Sequence, residues 1–342
     1  MGVQITELLK RKEINLNELA NKVIAVDSHL FLYQFLTTIR QRDGTLLMDS
    51  KGRTTSHLAG LFTRSTKLIE SGLKLVYVFD GKAPELKHEE REKRAELKLE
   101  AKKKYEEAKK KEDIEEMKKY AARTTKLTPE MIEEAKKLIK ALGLPIIEAP
   151  SEGEAQAAYL VKKNKAFAVA SQDADSLLFG ASTLVRNLSV VGKRKKANKM
   201  AFETFKPEIV DLAENLNNLG IDQDQLIVLG ILVGTDYNSG GVKGIGPKNA
   251  LKLLKKHKKN FDKLFKEVKW EFKYSWKDVF ETFKKMPITD KFKLEWKDID
   301  KEKVLKLLVG EHDFSEERVN RGIERLVKEK EKKMQKGLGD FF

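Results

Sequence analysis

The chain has 342 residues, 40% of them apolar, which is enough for a packed core in one large domain or in two smaller ones. It has no cysteine, so disulfides and thiolate metal sites are excluded, and no apolar run approaches the roughly 18 residues of a membrane span. The chain has 68 Lys and Arg residues and 53 Asp and Glu residues, which gives a formal net charge of +15. This charge favours a polyanion such as nucleic acid as the partner, and we expect no association with a membrane.

The N-terminal sequence lacks a secretory pattern, so we expect an intracellular protein, in the cytoplasm or nucleoid of a prokaryote or in the nucleus of a eukaryote. Enrichment in Lys and Glu is also typical of proteins that are stable at high temperature. That alternative explains charges of both signs better than a large excess of one sign.

Four short apolar runs predict buried β-strands, at residues 22–26, 74–79, 145–147 and 166–170. Helical patterns separate these runs. Continuous apolar strands between helices indicate an α/β fold, with a mostly parallel central sheet that helices cover on both faces.

Aspartates follow three of these strands. Asp27 follows the first and Asp80 the second, and Asp173 and Asp175 follow the fourth after a gap of two residues. Each aspartate on its own is typical of a turn. Because parallel strands end at the same edge of a sheet, where ligands bind in open α/β folds, we expect the four carboxylates to converge.

Three further acids are candidates for this edge. Glu152 and Glu154 lie at the start of a predicted helix beyond the third strand, although Ser151 and Glu154 also match a capping box. Asp236 follows the apolar segment IVLGILVG and by itself is typical of a turn.

Clustered carboxylates cannot all stay ionised without cations. Because the candidate ligands are hard oxygen atoms, we expect two Mg²⁺ ions roughly 4 Å apart, for which Mn²⁺ substitutes. No histidine has the spacing of a zinc protease or a catalytic triad, so none is assigned a role.

Residues 85–126 are rich in Lys, Glu and Ala and poor in apolar residues, which predicts helix that is weakly anchored to the core. The sequence GKRKKANK at residues 192–199 predicts a basic loop, and the C-terminal half has helical patterns.

The sequence GVKGIGPKNALKLL, residues 241–254, predicts a glycine turn followed by a helix that begins at Pro247. Backbone N–H groups of such a turn and helix start point outward and bind phosphate, although an ordinary connection between helices remains the alternative. The candidate phosphate-binding residues are Lys243, Gly244, Gly246 and Lys248.

These segments resemble the flap endonucleases of the archaeal and eukaryotic type over essentially the whole chain. The resemblance is carried by the sequences YVFDGKAPELK, APSEGEAQAAYLV, ASQDADSLLFG, LVGTDYNSGGVKGIGPKNA, EHDFSEERV and QKGLGDFF. It implies a structure-specific 5′ endonuclease that cuts branched DNA where a displaced 5′ single strand, the flap, leaves the duplex. It further implies two-metal-ion catalysis, roles in DNA replication (flap removal during lagging-strand maturation) and repair, and a 5′-3′ exonuclease side activity.

The resemblance also implies residue roles. The metal-site acids are Asp27, Asp80, Glu152, Glu154, Asp173, Asp175 and Asp236, with Asp80 and Asp175 also counted as catalytic. Residues 82–128 correspond to a helical arch over the active site, in which Lys87 and Arg94 hold the scissile phosphate. The spacing of these two residues alone indicates only solvated charges on one helix face. Tyr33 corresponds to an aromatic residue that stacks on a base, whereas its sequence context alone predicts helix core.

We therefore expect a monomer with a single nuclease domain over residues 1–325. It contains the arch and a helix-hairpin-helix-like duplex-binding element at residues 226–260, and a flexible tail follows at residues 326–342. The tail has Gln335, Leu338, Phe341 and Phe342 at the spacing of the peptide with which replication proteins bind the ring-shaped sliding clamp. A tail that folds back on its own domain is the alternative.

Two other classes of function remain open. A D-x-D phosphatase for small esters would use one of the paired aspartates as a nucleophile, but it leaves the glycine turn and the net charge unexplained. A noncatalytic clamp-associated DNA-binding scaffold explains the charge, the turn and the tail, but not the acids.

Overall fold

A computed structural model describes residues 2–41, 43–190, 192–195 and 202–339. The α-helices in this part of the chain are α1 (Ser28–Thr38), α2 (Ser56–Glu70), α3 (His88–Lys110), α4 (Ile114–Arg123), α5 (Pro129–Ala141), α6 (Gly153–Lys162), α7 (Asp175–Leu178), α8 (Leu212–Leu219), α9 (Gln223–Val233), α10 (Pro247–His257), α11 (Phe261–Glu267), α12 (Trp276–Lys284), α13 (Lys301–Leu305) and α14 (Glu316–Gly339). The strands are β1 (Lys12–Glu13), β2 (Val23–Asp27), β3 (Lys74–Phe79), β4 (Ile146–Glu148), β5 (Ala168–Ala170), β6 (Thr183–Arg186), β7 (Gly192–Lys195), β8 (Phe202–Phe205) and β9 (Glu208–Asp211).

The main sheet has seven strands in the order β1-β9-β6-β5-β2-β3-β4. Strands β2 to β6 run parallel to one another, whereas β9 pairs antiparallel with β6 and β1 pairs antiparallel with β9. The predicted α/β fold with a mostly parallel sheet is therefore confirmed.

Helices cover both faces of this sheet, as the continuous apolar strands predict. In β3, Leu75, Tyr77 and Phe79 pack among the helices of one face, with α1, α2, α5, α13 and α14. The intervening Val76 and Val78 pack on the other face with α6, α7, α9, α10, α11 and α12. Because β3 is buried on both faces, its sequence is apolar without alternation.

The four predicted strands correspond to β2, β3, β4 and β5, with ends that differ by at most two residues. The antiparallel strands β1, at the edge of the sheet, and β9, beside it, were not predicted because they are short and bear charged residues. The segment predicted as a basic loop at residues 192–199 begins as a strand instead, because β7 pairs with β8 in a separate two-stranded sheet. Such pairing depends on a partner strand and not on the apolar content of GKRK.

The Lys- and Glu-rich segment forms a helical hairpin, in which α3 and α4 pack against each other across a short turn at residues 111–113. The buried residues of α3 and α4 are few, namely Glu90, Ala101, Ala108 and Ala121. We call residues 82–128 the arch.

The C-terminal segment differs from the predicted flexible tail, because α14 continues as helix through residue 326 to Gly339. Val319, Ile323 and Leu326 are buried against the core and anchor the start of this helix. The charged sequence that follows has high helix propensity, so the backbone continues without a break. No helix within the described ranges is long and apolar enough to span a lipid bilayer.

Candidate active site

Acidic residues follow the carboxyl ends of three adjacent strands. β2 ends at Asp27, β3 is followed by Asp80, and β5 is followed after a short loop by Asp173 and Asp175. Because β5, β2 and β3 are parallel neighbours, these residues share one edge of the sheet.

Three more acids reach this edge from helices and a turn. Glu152 takes the N-cap position of α6, Glu154 lies in the first turn of α6, and Asp236 lies in the turn after α9. The capping box predicted for Ser151 and Glu154 is wrong. The Ser151 hydroxyl instead donates to the backbone oxygen of Lys82 at 2.9 Å, so Ser151 joins the two loops at the sheet edge.

One cavity of about 810 Å³ brings all seven acids together. We call them the acid cluster: Asp27, Asp80, Glu152, Glu154, Asp173, Asp175 and Asp236. The arch covers the cavity and contributes Leu97, Lys98, Lys104 and Tyr120 to its lining.

Backbone N–H groups near the N-terminus hold the paired aspartates. The Val3 N–H donates to Asp175 Oδ1 at 2.6 Å, and the Gly2 N–H donates to Asp173 Oδ2 at 3.0 Å. A Cβ atom on Gly2 would lie 2.5 Å from the Cβ of Asp173, so a larger residue does not fit without displacing the carboxylates. Sequence reasoning missed this contact, which joins residues more than 170 positions apart.

Two other acids of the cluster are held in a similar way. Asp27 accepts from the Leu30 N–H at 3.1 Å and from the Ser171 hydroxyl at 3.2 Å. Asp80 Oδ1 accepts from the Gly153 N–H at 2.6 Å. The carboxylates are therefore oriented by the backbone of several elements.

Two cations of the arch reach into the acid cluster. Lys87 Nζ lies 2.7 Å from Glu152 Oε2 and 3.1 Å from Asp236 Oδ2. Arg94 donates to Asp236 Oδ1 at 2.6 Å and to Glu90 Oε1 at 2.7 Å. Burial opposes protonation of Lys87, but the adjacent Glu152 and Asp236 outweigh it and raise the pKa of Lys87.

The remaining negative charge is poorly compensated. Burial, reinforced by the charge of Asp80, raises the pKa of Asp27 to about 7, and burial with the charge of Asp236 raises the pKa of Asp175 to about 7. Burial and then Asp175 raise the pKa of Glu154 well above its usual range. Among the described residues, these three carboxyl groups therefore have no direct cationic partner.

The acid cluster fits divalent cations in its chemistry. Its side-chain ligands are all carboxylate oxygens, which suit Mg²⁺ and Mn²⁺, and the raised pKa values mark a deficit of positive charge. No three carboxylate or imidazole side chains in the described ranges already surround one point as metal ligands do. Lys87 lies between Glu152 and Asp236.

Tyr33 lines the cavity from α1 and is not part of the helix core that its sequence context predicts. The Nζ atom of Lys98, from the arch, lies 5.5 Å from the centroid of the Tyr33 ring. The ring therefore lies between α1 and the arch.

His29 also lines the cavity, and sequence reasoning missed it. It lies between Asp27 and Tyr33 in sequence, and its Nδ1 atom is 3.1 Å from the backbone N of Asp80. The only sequence signal was its spacing of four residues from Tyr33, which places both on one face of α1.

The glycine turn lies outside the cavity. Lys243, Gly244, Gly246 and Lys248 are exposed in the connection between α9 and α10, and α10 begins at Pro247 as predicted. Gly244 has φ +80°, a left-handed conformation that favours glycine.

The four tail residues are only partly covered by the structure. Gln335 and Leu338 lie on the helical backbone of α14. Phe341 and Phe342 lie outside the described residues.

Comparison with known proteins agrees with this site. The XPG N-terminal domain family matches residues 1–101, and the XPG I-region family matches residues 143–236, so the two matches include all seven acids. Flap endonuclease 1 of Thermococcus onnurineus is 52% identical over 342 residues, which cover 100% of this chain and 99% of that protein. The chain belongs to the flap endonuclease family.

Solved structures support the same family. The structure of flap endonuclease-1 from Methanococcus jannaschii matches this flap endonuclease with a TM-score of 0.75 and 42% identity, covering 97% of this chain and 100% of that one. The catalytic core of Rad2 in complex with a DNA substrate has the same fold, with a TM-score of 0.69, 24% identity and coverage of 94% and 97%. As a flap endonuclease, the protein is a structure-specific 5′ nuclease.

Proposed function

We propose that this flap endonuclease hydrolyses the phosphodiester bond at the junction where a 5′ single strand leaves a DNA duplex, with the acid cluster binding two Mg²⁺ ions. The observation that carries the proposal is the convergence of seven acids in one cavity beneath a basic arch. Mn²⁺ substitutes for Mg²⁺ because both prefer carboxylate oxygen ligands.

The position of the two arch cations supports a role in binding the scissile phosphate. Lys87 and Arg94 lie beside Glu152 and Asp236, at the wall of the cavity where the phosphate must approach the acids. When substrate enters, both side chains exchange carboxylate oxygens for phosphate oxygens and stabilise the charge that develops in the transition state. Tyr33 stacks on the base next to the bond that is cut.

The acid cluster holds the divalent cations through Asp27, Asp80, Glu152, Glu154, Asp173, Asp175 and Asp236. When bound, the cations lower the pKa of a water molecule towards neutrality and offset charge on the phosphate. The backbone N–H groups of Gly2 and Val3 keep the paired aspartates oriented during this chemistry.

The turn between α9 and α10 binds the duplex. Lys243 and Lys248 are exposed, and α10 has Gly246 at its N-cap and so no side-chain cap, which leaves its first N–H groups suited to an anion. Lys243, Gly244, Gly246 and Lys248 contact phosphates of one strand and so place the junction at a defined distance from the acid cluster.

The test is cleavage of a 5′-labelled flap substrate in Mg²⁺, compared with a duplex, with single strands and with the small ester p-nitrophenyl phosphate. We expect one main product from the flap junction, weaker exonuclease products from a nicked duplex, and no cleavage in EDTA. Faster hydrolysis of the small ester would favour a phosphatase. Tight flap binding without any cleavage would favour a DNA-binding scaffold.

We also propose that the tail binds a sliding clamp and places the nuclease in DNA replication and repair. The support is the sequence pattern of Gln335, Leu338, Phe341 and Phe342, in which apolar side chains anchor a short helical turn in a pocket. Deletion of residues 335–342 should abolish clamp binding and leave cleavage without the clamp within about twofold, because most of the affinity resides in such anchors. Full-affinity clamp binding by the truncated protein would contradict the proposal.

A further inference from the structure

His29 has contacts that leave one of its ring nitrogens available to a ligand. Nδ1 lies 3.1 Å from the backbone N of Asp80 and 3.2 Å from Asp80 Oδ2, and the ring packs edge-on against Phe79 with centroids 5.7 Å apart. The side chain is 26% exposed and lines the cavity. Within the described part of the chain, Nε2 has no hydrogen-bond partner, and it is not a buried atom.

The contact at Nδ1 defines which nitrogen carries the proton. Nδ1 can accept from the Asp80 N–H or donate to Asp80 Oδ2, but not both. The Asp80 N–H makes a hydrogen bond to Nδ1, whereas the contact between Nδ1 and Asp80 Oδ2 is an ion-pair distance only. Nδ1 therefore accepts, and Nε2 carries the hydrogen.

An N–H donor suits this position. The cations Lys87 and Arg94 pair with carboxylates of the acid cluster, whereas Nε2 has no such partner in the described residues and is available to an incoming acceptor. Phosphate oxygens are the most frequent acceptors that a DNA strand offers to a protein.

The position of His29 on α1 indicates which part of the strand it meets. His29 and Tyr33 are four residues apart on one helix face, which separates them by about 6 Å along the axis. Asp27, an acid of the cluster, precedes His29 by two residues. His29 thus lies between the ring that stacks on a base and the acids that act on the adjacent phosphodiester.

We propose that His29 contacts the substrate directly, donating from Nε2 to a phosphate oxygen next to the scissile bond and so setting which bond lies over the acid cluster. The inference rests on the proposed function, because it takes the strand path from Tyr33 to the acid cluster. It adds a substrate contact that is not a metal ligand.

The test uses two variants that separate the nitrogens of His29. In His29→Asn the amide oxygen can replace Nδ1 as the acceptor for Asp80, but the donor into the cavity is lost. In His29→Gln the amide nitrogen reaches the position of Nε2 and retains that donor. His88→Gln is the matched control, because His88 is a histidine on α3 that is 73% exposed and does not line the cavity.

We expect His29→Asn to lower the single-turnover rate on the flap by at least about 10-fold and to spread incision over neighbouring bonds, since a hydrogen bond to a charged group is lost. His29→Gln and His88→Gln should stay within about threefold of the wild-type rate, with a single product. A neutral methylphosphonate placed at the phosphate next to the scissile bond should slow the wild type. At that position it should slow His29→Asn no further.

Three results would overturn the inference. The first is a wild-type rate and product pattern in His29→Asn. The second is a His29→Gln variant as slow as His29→Asn. The third is weaker Mn²⁺ binding without DNA in both variants, because His29 would then act through the metal site. Failure of the wild-type protein to cut the flap would instead contradict the proposed function. The His29 contact could then still be tested by measuring, in Ca²⁺, how a methylphosphonate at each phosphate changes the affinity of the wild type and of His29→Asn for the flap.

Discussion

Two buried groups of charged side chains in this protein contrast in how they are compensated. The acid cluster has seven carboxyl groups and only Lys87 and Arg94 as direct cationic partners in the described residues. A second group, the histidine network, contains Asp49, Arg53, His57, Glu134 and His312 and joins a surface loop, α2, α5 and the segment before α14.

In the histidine network every carboxylate faces cationic or donor groups. His312 lies between the two acids, with Nδ1 3.1 Å from Asp49 Oδ2 and Nε2 3.3 Å from Glu134 Oε1. Arg53 Nε is 2.8 Å from Asp49 Oδ2. Burial opposes ionisation of Asp49, but hydrogen bonds from the Arg53 backbone, His312 and the Arg53 side chain outweigh it and lower its pKa to about 2.

This difference in charge compensation distinguishes a structural charge network from a binding site. Asp49 and Asp175 are both aspartates with buried side chains, yet the pKa of Asp49 is about 2 and that of Asp175 is about 7. The fold satisfies the first carboxylate by itself and leaves the second to be satisfied by a ligand. Raised carboxyl pKa values beside a cavity therefore identify the acid cluster, and not the histidine network, as the binding site.

The largest expected effect is that of Asp175→Asn. It should lower the single-turnover rate on the flap by at least about 1,000-fold and leave flap binding within a few fold, because a metal-site acid acts mainly on the transition state. It should also raise the melting temperature in EDTA, since a poorly compensated buried charge is removed. Near-normal turnover in Mg²⁺ would contradict the assignment of Asp175.

Removal of the two arch cations should have the next largest effect. We expect Lys87→Ala and Arg94→Ala each to lower the single-turnover rate by at least about 100-fold, because preorganised positive charge at the phosphate is lost. Rapid-quench kinetics at saturating enzyme measures this rate. A change in affinity alone would limit both residues to general attraction of DNA. Lys103→Ala, in which an exposed lysine of α3 that does not line the cavity is removed, is the control.

Asp49→Asn is the counterpart of Asp175→Asn in the histidine network. It should lower the melting temperature by several degrees, because His312 and Arg53 lose a buried counter-charge. Cleavage at a temperature where the variant is folded should stay within about twofold, since Asp49 does not line the cavity. A large loss of activity without loss of stability would remove the contrast between the two groups.

A rise in pH should change the free energy of unfolding in opposite directions at the acid cluster and at the histidine network. Asp27 and Asp175 have folded-state pKa values of about 7 against an ordinary 3.8, so the folded protein binds more protons than the unfolded chain between these values. Raising the pH from about 4 to about 7 in EDTA should therefore cost stability at the acid cluster. Asp49, with its lowered pKa, contributes stability that is lost as the pH falls from about 4 to about 2.

Calorimetric melting with and without Mg²⁺ measures this difference. The rise in melting temperature on adding Mg²⁺ should be larger at pH 8 than at pH 5, because more of the carboxyl groups are ionised when the metal arrives. Asp175→Asn should weaken this pH dependence, whereas Asp49→Asn should not. An equal Mg²⁺ effect at both pH values would contradict the raised pKa values.

The smallest effect concerns lysines that belong to neither group. Lys243 and Lys248 are exposed in the turn between α9 and α10. In a plot of the logarithm of the duplex-binding constant against the logarithm of the salt concentration, the double variant Lys243→Ala with Lys248→Ala should have a slope that is shallower by roughly one to two. The reason is that each phosphate contact releases about one counterion. An unchanged slope in fluorescence anisotropy titrations would remove this turn from the DNA path.

Sequence alone determined the strands that carry the acids. The apolar runs at β2 and β3 are continuous because the sheet is buried on both faces, and Asp27 and Asp80 stand where these strands end. Parallel strands then require that such residues meet at one edge. The position of the acid cluster was therefore predictable from local pattern and one topological rule.

Only the tertiary structure decided which side chains contact the acids. The pairing of Lys87 with Glu152, the N–H of Val3 on Asp175, the Nδ1 contact of His29 and the entire histidine network join residues that are distant in sequence. No periodicity records such contacts, because they depend on how separate elements pack. The same is true of the pKa values, since an aspartate is kept ionised or neutral by burial and by partners that the completed fold brings to it.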